Sequence, residues 1–581
     1  MIQPLARFDG WGSPGASWLF DDYRETLTAW RPEDVPAVLE RAEAATERGL
    51  YAVGFVAYEA AQALNRSLPS LPPLEGLPLV WFALFSRRLL STDDQQPPES
   101  EATNLSLTPQ LGQNEHAAAV QQIHDAIADG QSYQINYTFS LSGDVSGQPY
   151  SLYQTLLTAQ RPSFGALLDT GRHLIMSASP ELFFQRQDGR ITTRPMKGTA
   201  MRGRFPAEDR ALARQLCDSA KEQAENLMIV DLLRNDLGQI AQTGSVVVDK
   251  LFELEQYPSV HQLTSSISAL LQPETGLVKI MQALFPCGSV TGAPKRRSME
   301  LISDLEKTPR GIYCGAIGLL APGGEAIFSV AIRTLLLDRE TQIISMGVGS
   351  GITWDAQPAA EYAECLAKTA FVTAPPPPRL VESLLLTEGG YPLLERHLAR
   401  LSWSAGRLGH QYSRPAAETL LLNHAATVCG NRKVRLLLAV DGQLAIESSP
   451  IEPDTTSIWL ALAAQRVDPE DRSLYLKTEQ RDLYDAARRG QPEADEIVLV
   501  NKRGELTEGS YHNLVLRLDN RLVTPPVACG LLPGVMREEL LEQGTIVEQV
   551  LYPADLQRAE EIWLINGVRG WRRALLLHSG G

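Results

Sequence analysis

The chain is poor in cysteine: Cys217, Cys287, Cys314, Cys365, Cys429 and Cys529 lie singly, with no CxxC pair. That spacing excludes the disulfide framework of a small secreted domain and reads as reduced thiols in a cytosolic protein. Positive charge is also short, with 53 Lys and Arg against 69 Asp and Glu and a net charge of −16. Such a balance argues against a nucleic-acid partner held by a basic surface, so any anionic substrate needs a local cationic site. No apolar run reaches the roughly 18 residues of a membrane span. The opening "MIQPLARFDGWG" lacks the cationic-then-apolar layout of a signal peptide. The expectation is a cytoplasmic protein with neither membrane nor nucleic acid as partner.

What is present is an ordinary globular composition, 44% hydrophobic and 21% charged, over 581 residues. That length exceeds what one core organises, so two or more domains are expected. Four consecutive prolines, Pro375 to Pro378, cannot continue a helix or sit in a central strand, and they mark a stiff junction. The expected organisation is a first domain over 1–372, a proline-rich linker over 373–379 and a second domain over 380–581. The polar stretch 91–109 reads as a divider within the first part or a surface excursion. Helical spacing in "SLYQTLLTAQ" and "LARQLCDSAKEQAENLMIVDLLRNDLGQIA" mixes with strand-like "HLIMSAS", "RITTRP", "EAIFSVAIRTLLLD" and "QIISMGVG". Without regular βαβ alternation, the fold class is α+β.

Two patterns carry chemistry. In "RPMKGTAMRG", Lys197 sits between glycine-containing turns with Arg194 and Arg202 close by. A lysine there is either a surface charge or an amine whose proton has been made easy to remove. In "SAKEQAENLMIVDLLRND", Glu222 and Glu225 are three residues apart, on one face of a helix, and "AAEYAECLAK" repeats that spacing with Glu361 and Glu364. One such pair is usually a solvated helix surface. Two faces brought together present up to four oxygen ligands to a hard cation such as Mg²⁺. Gly349, Ser350 and Gly351 precede the second pair as a glycine-punctuated strand-to-helix approach, where backbone N–H groups can meet an anion.

These patterns sit within a longer resemblance. "SYQINYT", "SASPELFF", "RPMKGTAMRG", "AENLMIVDLLRND", "YPSVHQLTSSI", "FPCGSVTGAPKRRSMELI", "RGIYCGAIG", "FSVAIRT" and "GVGSGITWDAQPAAEYAECLAK" run in order from about 115 to 372. Together they resemble the chorismate-binding core shared by anthranilate synthase component I, aminodeoxychorismate synthase component I and isochorismate synthases. The resemblance implies an α+β sandwich of two large antiparallel sheets with the site between them. It also implies chorismate bound through Mg²⁺ on Glu225, Glu361 and Glu364, with Glu222 adjacent.

Chorismate is a dicarboxylate, and Arg333 can grip one carboxylate in bidentate fashion. Tyr313, Thr291 and the backbone of Gly349 and Gly351 resemble the family's other substrate contacts. Loss of the ring hydroxyl needs a general acid, because hydroxide is a poor leaving group. Glu181, in "SPELFF", has apolar neighbours that raise its pKa and suit it to that role. His261 resembles the family's active-site histidine. Isochorismate synthases use a lysine where Gln134 stands here, and an amide is no base at neutral pH, so water addition is disfavoured.

Anthranilate synthases carry alanine at the position of Lys197. Aminodeoxychorismate synthases carry lysine, which attacks C2 before ammonia enters at C4. The resemblance therefore makes Lys197 a covalent nucleophile, with burial and like charge from Arg194 and Arg202 expected to lower its pKa. Two departures are "AMRG" in place of the family's arginine-proline and Cys287 in place of a glycine, which reads as packing. No "GxCxG" elbow of a glutamine amidotransferase is present. The amine comes from a separate glutaminase subunit or from free ammonia.

After the prolines, "LLERHLARLSWSA", "SLYLKTEQRDLYDAAR", "ADEIVLVNKRGELTEGSYHNLVLRLDNRLVTPP", "GLLPGVMREELL" and "EIWLINGVRG" resemble fold-type IV pyridoxal-phosphate enzymes. That family includes branched-chain aminotransferase, D-amino-acid aminotransferase and aminodeoxychorismate lyase. Lys477 matches the Schiff-base lysine, Glu508 the partner of the pyridinium nitrogen, and Arg400 the phosphate-binding arginine, helped by backbone N–H groups near Gly534, Val535 and Met536. "GVMR" and Asn566 lean toward the lyase. The usual opening strand and "GDGxFET" loop are missing, and only "VESLLL" (381–386) resembles the family's next segment. The absent wall comes from the first domain, from a partner in a homodimer formed through this part, or from nowhere. The expected function is two-step p-aminobenzoate synthesis for folate; the alternative is a synthase whose second part is an aminotransferase or a docking module.

Overall fold

A computed structural model describes residues 4–11, 16–90, 104–373, 376–451 and 456–577. The polar stretch 91–109 falls outside these residues up to 103, and so do residues 374 and 375 at the head of the proline run. The chain divides into two compact units. The first comprises Met1–Met201 and Ala213–Pro376; the second comprises Arg202–Leu212 and Pro377–Gly581. The short segment Arg202–Leu212, expected in the first domain, thus belongs to the second unit. The reason is local: Phe205 lies 5.4 Å from the Tyr475 ring, and Arg204 pairs with Glu470 at 2.6 Å.

In the first unit the strands join into an 18-stranded sheet whose pairings are antiparallel. The α+β expectation of antiparallel sheets is met. Its central strands are buried on both faces, which explains why they read as apolar runs rather than alternating ones. Along Val80–Leu90, Val80, Phe82 and Leu84 enter one core while Trp81, Ala83 and Phe85 enter another. Tyr51–Val56 does the same, with Ala52 and Val56 on one side and Val53 and Phe55 on the other.

The long helical stretch after residue 205 is broken in two. Pro206–Asp218 ends before Ser219, whose hydroxyl accepts the backbone N–H of Glu222 and starts a second helix over Ala220–Gly238. This helix buries Asn226, Ile229, Val230, Leu233 and Leu237, a stripe at helical spacing. "EAIFSVAIRTLLLD", expected as one strand, forms two, Glu325–Val330 and Thr334–Asp338. The break falls at Arg333, which adopts a left-handed backbone with φ 50°. Gly347, Gly349 and Gly351 lie inside the strand Ile343–Ile352, paired along its length with Gln134–Ser146, rather than in a strand-to-helix turn. The helix carrying Glu361 and Glu364 begins only at Pro358.

The second unit holds two sheets. Leu380–Leu386, Arg432–Leu438 and Leu444–Pro450 form an antiparallel three-stranded sheet, with the helices Leu394–Leu408 and Arg414–Thr427 contributing to its core. Among the described residues Leu380–Leu386 is an edge strand, in keeping with the missing opening strand before "VESLLL". The eight-stranded mixed sheet closes on itself, since Leu506–Gly509 pairs with both Glu496–Asn501 and Asn513–Leu518. Leu460, Val498, Leu506, Leu514, Leu516 and Leu564 fill its core.

Two candidate active sites

Among the described residues, each unit contains a substantial cavity. That of the first unit is about 240 Å³ and is lined by Glu181, Lys197, Glu225, Arg333, Gly351 and Glu361, among others. Its floor reflects a period of two. In the strand Ile343–Ile352 every second residue from Gly347 is glycine, and each clears a neighbour. A Cβ at Gly347 would meet the Tyr313 ring at 2.2 Å, and one at Gly349 the Thr138 methyl at 2.6 Å. A Cβ at Gly351 would lie 2.1 Å from Gln134 Nε2 and 2.8 Å from Lys197 Nζ. The glycines therefore make room for the side chains packed on this strand, Lys197 among them.

Lys197 lies in the strand Met196–Met201, and burial lowers its pKa. Glu225 and Glu181 push back, while the like charge comes from Lys368. Arg194 and Arg202, expected to supply that charge, are engaged elsewhere: Arg194 with Glu255 at 3.1 Å and Arg202 with Asp209 at 2.7 Å. Lys368 holds the Gly349 carbonyl at 2.9 Å and Glu364 at 2.8 Å, and nothing in the sequence had singled it out. Asn226 was also missed; its Nδ2 donates to the Lys197 carbonyl at 3.0 Å, and its Oδ1 accepts from Ser265 at 2.6 Å.

Glu181 is 3% exposed, and burial raises its carboxyl to about 7 against the hydrogen bond of Ser289 and the charge of Lys197. Its Oε1 is buried without a hydrogen-bond partner, as a group waiting for a ligand would be. Arg333 donates to Gln160, and Tyr313 lines the same space.

Glu222, Glu225, Glu361 and Glu364 all face this cavity. Burial raises Glu225, with Glu222 and Glu361 adding to the rise, and burial and Glu364 raise Glu361. These are carboxylates repelling one another at a shared site, a donor set that suits a hard divalent cation. Among the described residues no three acidic, His or Cys side chains are gathered closely enough to hold a metal ion as they stand. Lys221 lies 4.0 Å from Glu225, and Lys368 takes Glu364, so both pairs would have to be drawn together.

Three expected contacts stand apart from the cavity lining. The Thr291 hydroxyl is spent on the carbonyls of Cys287 and Gly288 at 3.2 and 3.3 Å. His261 is fully buried in the strand Val260–Leu270, and Gln262, the next residue, lines the cavity instead. Gln134 is 2% exposed, and its amide reaches Gly351 on the side that Lys197 also approaches.

The second unit's cavity is about 460 Å³, and Arg400, Lys477, Glu508, Val535, Met536 and Asn566 all line it. Lys477 comes just after a short 3₁₀ turn, Arg472–Tyr475, and is tied down by its own carbonyl, which accepts from Val381 at 3.0 Å. Burial, then Arg400 and Arg481, bring its amine to about 8. Glu508 accepts from Tyr484 at 2.8 Å, Leu532 N at 3.1 Å and Asn513 at 3.2 Å. Burial nevertheless holds it at about 7.

Arg400 donates Nε and Nη2 to Glu382 at 2.9 and 2.6 Å, and His397 Nδ1 meets the same carboxylate at 2.7 Å. Although burial pushes Glu382 up, Arg400 and His397 hold it at about 2. His397 Nε2 is buried and has no hydrogen-bond partner. Gly534 caps the helix Val535–Glu542, and a Cβ there would lie 1.8 Å from Asn513 Oδ1. A helix N-terminus, a fixed guanidinium, an orphaned imidazole nitrogen, a buried lysine and a carboxylate across the same cavity fit pyridoxal phosphate. Asn566 instead caps its own turn, accepting from Val568 N at 3.0 Å and Arg569 N at 2.7 Å. Glu382 lies in "VESLLL" and His397 in "HLARL", but neither has a role in sequence terms, because only their meeting across two elements gives them one.

With both cavities described, comparison with known proteins places the chain. Residues 10–374 match the chorismate binding enzyme family, and the chain belongs to it. Residues 379–576 match amino-transferase class IV, so a second family domain comes after the first. Over 245 residues the chain is 42% identical to an aminodeoxychorismate synthase of Streptomyces griseus, covering 42% of this chain and 34% of that protein. It is 40% identical over 261 residues to aminodeoxychorismate synthase component 1 of Salmonella typhimurium, covering 45% and 57%. The match thus spans between a third and about half of these relatives' lengths. The crystal structure of anthranilate synthase component I from Streptococcus pneumoniae is similar with a TM-score of 0.53 and 26% identity, over 64% of this chain and 91% of that one. No helix among the described residues is long and apolar enough to cross a membrane.

Proposed function

We propose that the chain makes p-aminobenzoate in two steps: amination of chorismate to 4-amino-4-deoxychorismate in the first cavity, then loss of pyruvate in the second. The observation that carries the reading is Lys197, a desolvated amine facing Gly351 in a cavity that also holds the protonatable Glu181 and four glutamates. Its nitrogen attacks C2 of chorismate as the C4 hydroxyl takes a proton from Glu181 and leaves as water. Ammonia then adds at C4 and the Lys197 nitrogen departs. Arg333 holds a substrate carboxylate. Glu222, Glu225, Glu361 and Glu364 would hold Mg²⁺, which when bound supplies positive charge to a substrate carboxylate. The ammonia comes from a separate glutamine amidotransferase subunit, in keeping with relatives named as component 1 of a synthase.

In the second cavity, pyridoxal phosphate when bound supplies an electron sink. Arg400 and the N–H groups at Val535 and Met536 would hold its phosphate, and Glu508 would partner its ring nitrogen. Lys477, its amine brought near neutrality, takes the proton from the amine-bearing ring carbon. The enolpyruvyl oxygen then leaves, so that pyruvate departs and the ring becomes aromatic.

The test incubates the chain with chorismate, Mg²⁺, ammonium at mildly alkaline pH and pyridoxal phosphate, beside a Lys477→Ala sample, and follows products by chromatography. Production of p-aminobenzoate and pyruvate by the intact chain, with the variant halted at aminodeoxychorismate, is the expected result. If both halt there, the second unit is an aminotransferase or a docking module; if anthranilate appears, the role given to Lys197 is wrong.

A further inference from the structure

The second cavity carries positive charge that neither Lys477 chemistry nor phosphate binding uses. Lys433 reaches its rim from the strand Arg432–Leu438, Arg481 enters four residues after Lys477, and Arg569 comes from the turn between Glu561–Asn566 and Gly570–Leu576. Three separate elements deliver cations to one space in a chain with 16 more acids than bases. Burial lowers the Lys433 ammonium, and then Arg435, Arg569 and Arg481 lower it further. Arg435 is paired with Glu447 on the neighbouring strand.

Arg481 is held on several sides. Its guanidinium lies 4.9 Å from the Tyr484 ring centre and 4.3 Å from that of Tyr511, and Nη2 donates to the Ser510 carbonyl at 2.5 Å. Its Nε is buried with no hydrogen-bond partner. The carboxylate it faces, Glu508, is already taken up by Tyr484, Leu532 N and Asn513. The charge of Arg481 is felt by Lys477 and by Lys433 alike, and all three line the same cavity. A cluster of like charges with a buried, unused donor is unfavourable in the free protein and is offset when an anion enters.

We propose that Lys433, Arg481 and Arg569 form a carboxylate-recognition wall that selects a cyclic amine bearing a ring carboxylate opposite its amino group. The inference rests on the reading that Lys477 and pyridoxal phosphate receive the amine. An ordinary amino acid carries its single carboxylate on the amine-bearing carbon and leaves this wall empty. A cyclohexadiene or benzene ring with amine and carboxylate on opposite carbons offers its carboxylate to the wall while its amine is at Lys477, since Lys477 and the three wall residues line one cavity. The wall is thus what distinguishes the product of the first reaction from the amino acids that share the cell.

The test uses the full chain loaded with pyridoxal phosphate and the shift of its visible band as the readout. The probes are 4-aminobenzoate and its neutral amide, 4-aminobenzamide, which differ in charge at the position the wall would read. The expected result is binding of the carboxylate about tenfold tighter or more than the amide at low salt. That preference is expected to shrink in Lys433→Ala and in Arg569→Ala, and to return in Lys433→Arg. A preference unchanged in both alanine variants, or absent in the unaltered chain, overturns the inference while leaving the cofactor reading standing. A chain that shows no visible band with pyridoxal phosphate overturns the reading beneath it.

Discussion

Asn226 and Lys197 are joined through the lysine's own backbone: Asn226 Nδ2 donates to the Lys197 carbonyl at 3.0 Å while Ser265 donates to Asn226 Oδ1 at 2.6 Å. The helix that presents Glu222 and Glu225 therefore also fixes the strand that presents Lys197. Replacing Asn226 by Leu leaves the Ser265 hydroxyl and the carbonyl short of a partner inside the protein. We expect a loss of about 1–3 kcal/mol in stability, read by thermal denaturation. Chorismate amination is expected to fall more steeply than that loss of folded protein explains, because the amine is no longer aimed.

Lys197→Ala is expected to reduce aminodeoxychorismate formation by roughly a hundredfold or more. The visible band of pyridoxal phosphate on Lys477 is the internal control, since it reports the other unit. Undiminished turnover would sink the covalent role.

Glu181 gives a pH dependence. Its carboxyl, held at about 7, is protonated and competent as an acid below that value, so amination by the free enzyme declines as pH rises through it. The sign for stability is the same. The folded pKa lies above the ordinary 4.5, so the folded state binds the proton more tightly. The stabilisation is complete below 4.5 and is lost as pH rises from there to about 7. Glu181→Gln should flatten both profiles; a pH–rate limb that survives the substitution would assign the acid elsewhere.

Gly351→Ala places a methyl 2.8 Å from Lys197 Nζ and 2.1 Å from Gln134 Nε2. Chorismate turnover should collapse, while equilibrium unfolding of the second unit and its cofactor band stay unchanged. A variant with ordinary kinetics would show that the glycine face is not the floor of the site.

Glu382→Ala removes the anion that Arg400 and His397 share. The loss of one member of a buried ion pair costs about 3–5 kcal/mol, and the weaker melting should be confined to the second unit. Pyridoxal phosphate affinity should fall as Arg400 loses its anchor, measured by titrating the visible band. Pyridoxal without the phosphate should bind variant and parent alike.

Much of this was legible in the chain itself. The ordered motifs from "SYQINYT" to "AAEYAECLAK", the paired glutamates at helical spacing and the lysine in "PMKGT" pointed to the first cavity. "LKTEQR", "LTEGSYHN" and "HLARL" pointed to the second. Such motifs can be read from sequence because spacing on a helix or strand decides which side chains share a face. The misplaced source of like charge has a plain cause. Arg194 and Arg202 are neighbours of Lys197 in sequence, yet each turns to its own acid, Glu255 and Asp209, and the cation that matters, Lys368, arrives from a helix 171 positions later.

The amino-acid sequence by itself determined the two families, the order of the two domains and the chemical type of each reactive group, since these depend on residue identity and local period. Only the tertiary structure decided what surrounds those groups. Desolvation of Lys197 and Lys477, the glycine floor under the first, the shared hold of Glu382 on Arg400 and His397, and the cations around Lys433 all come from elements far apart in the chain. Charge and burial act through space, and no spacing along a strand or helix encodes them.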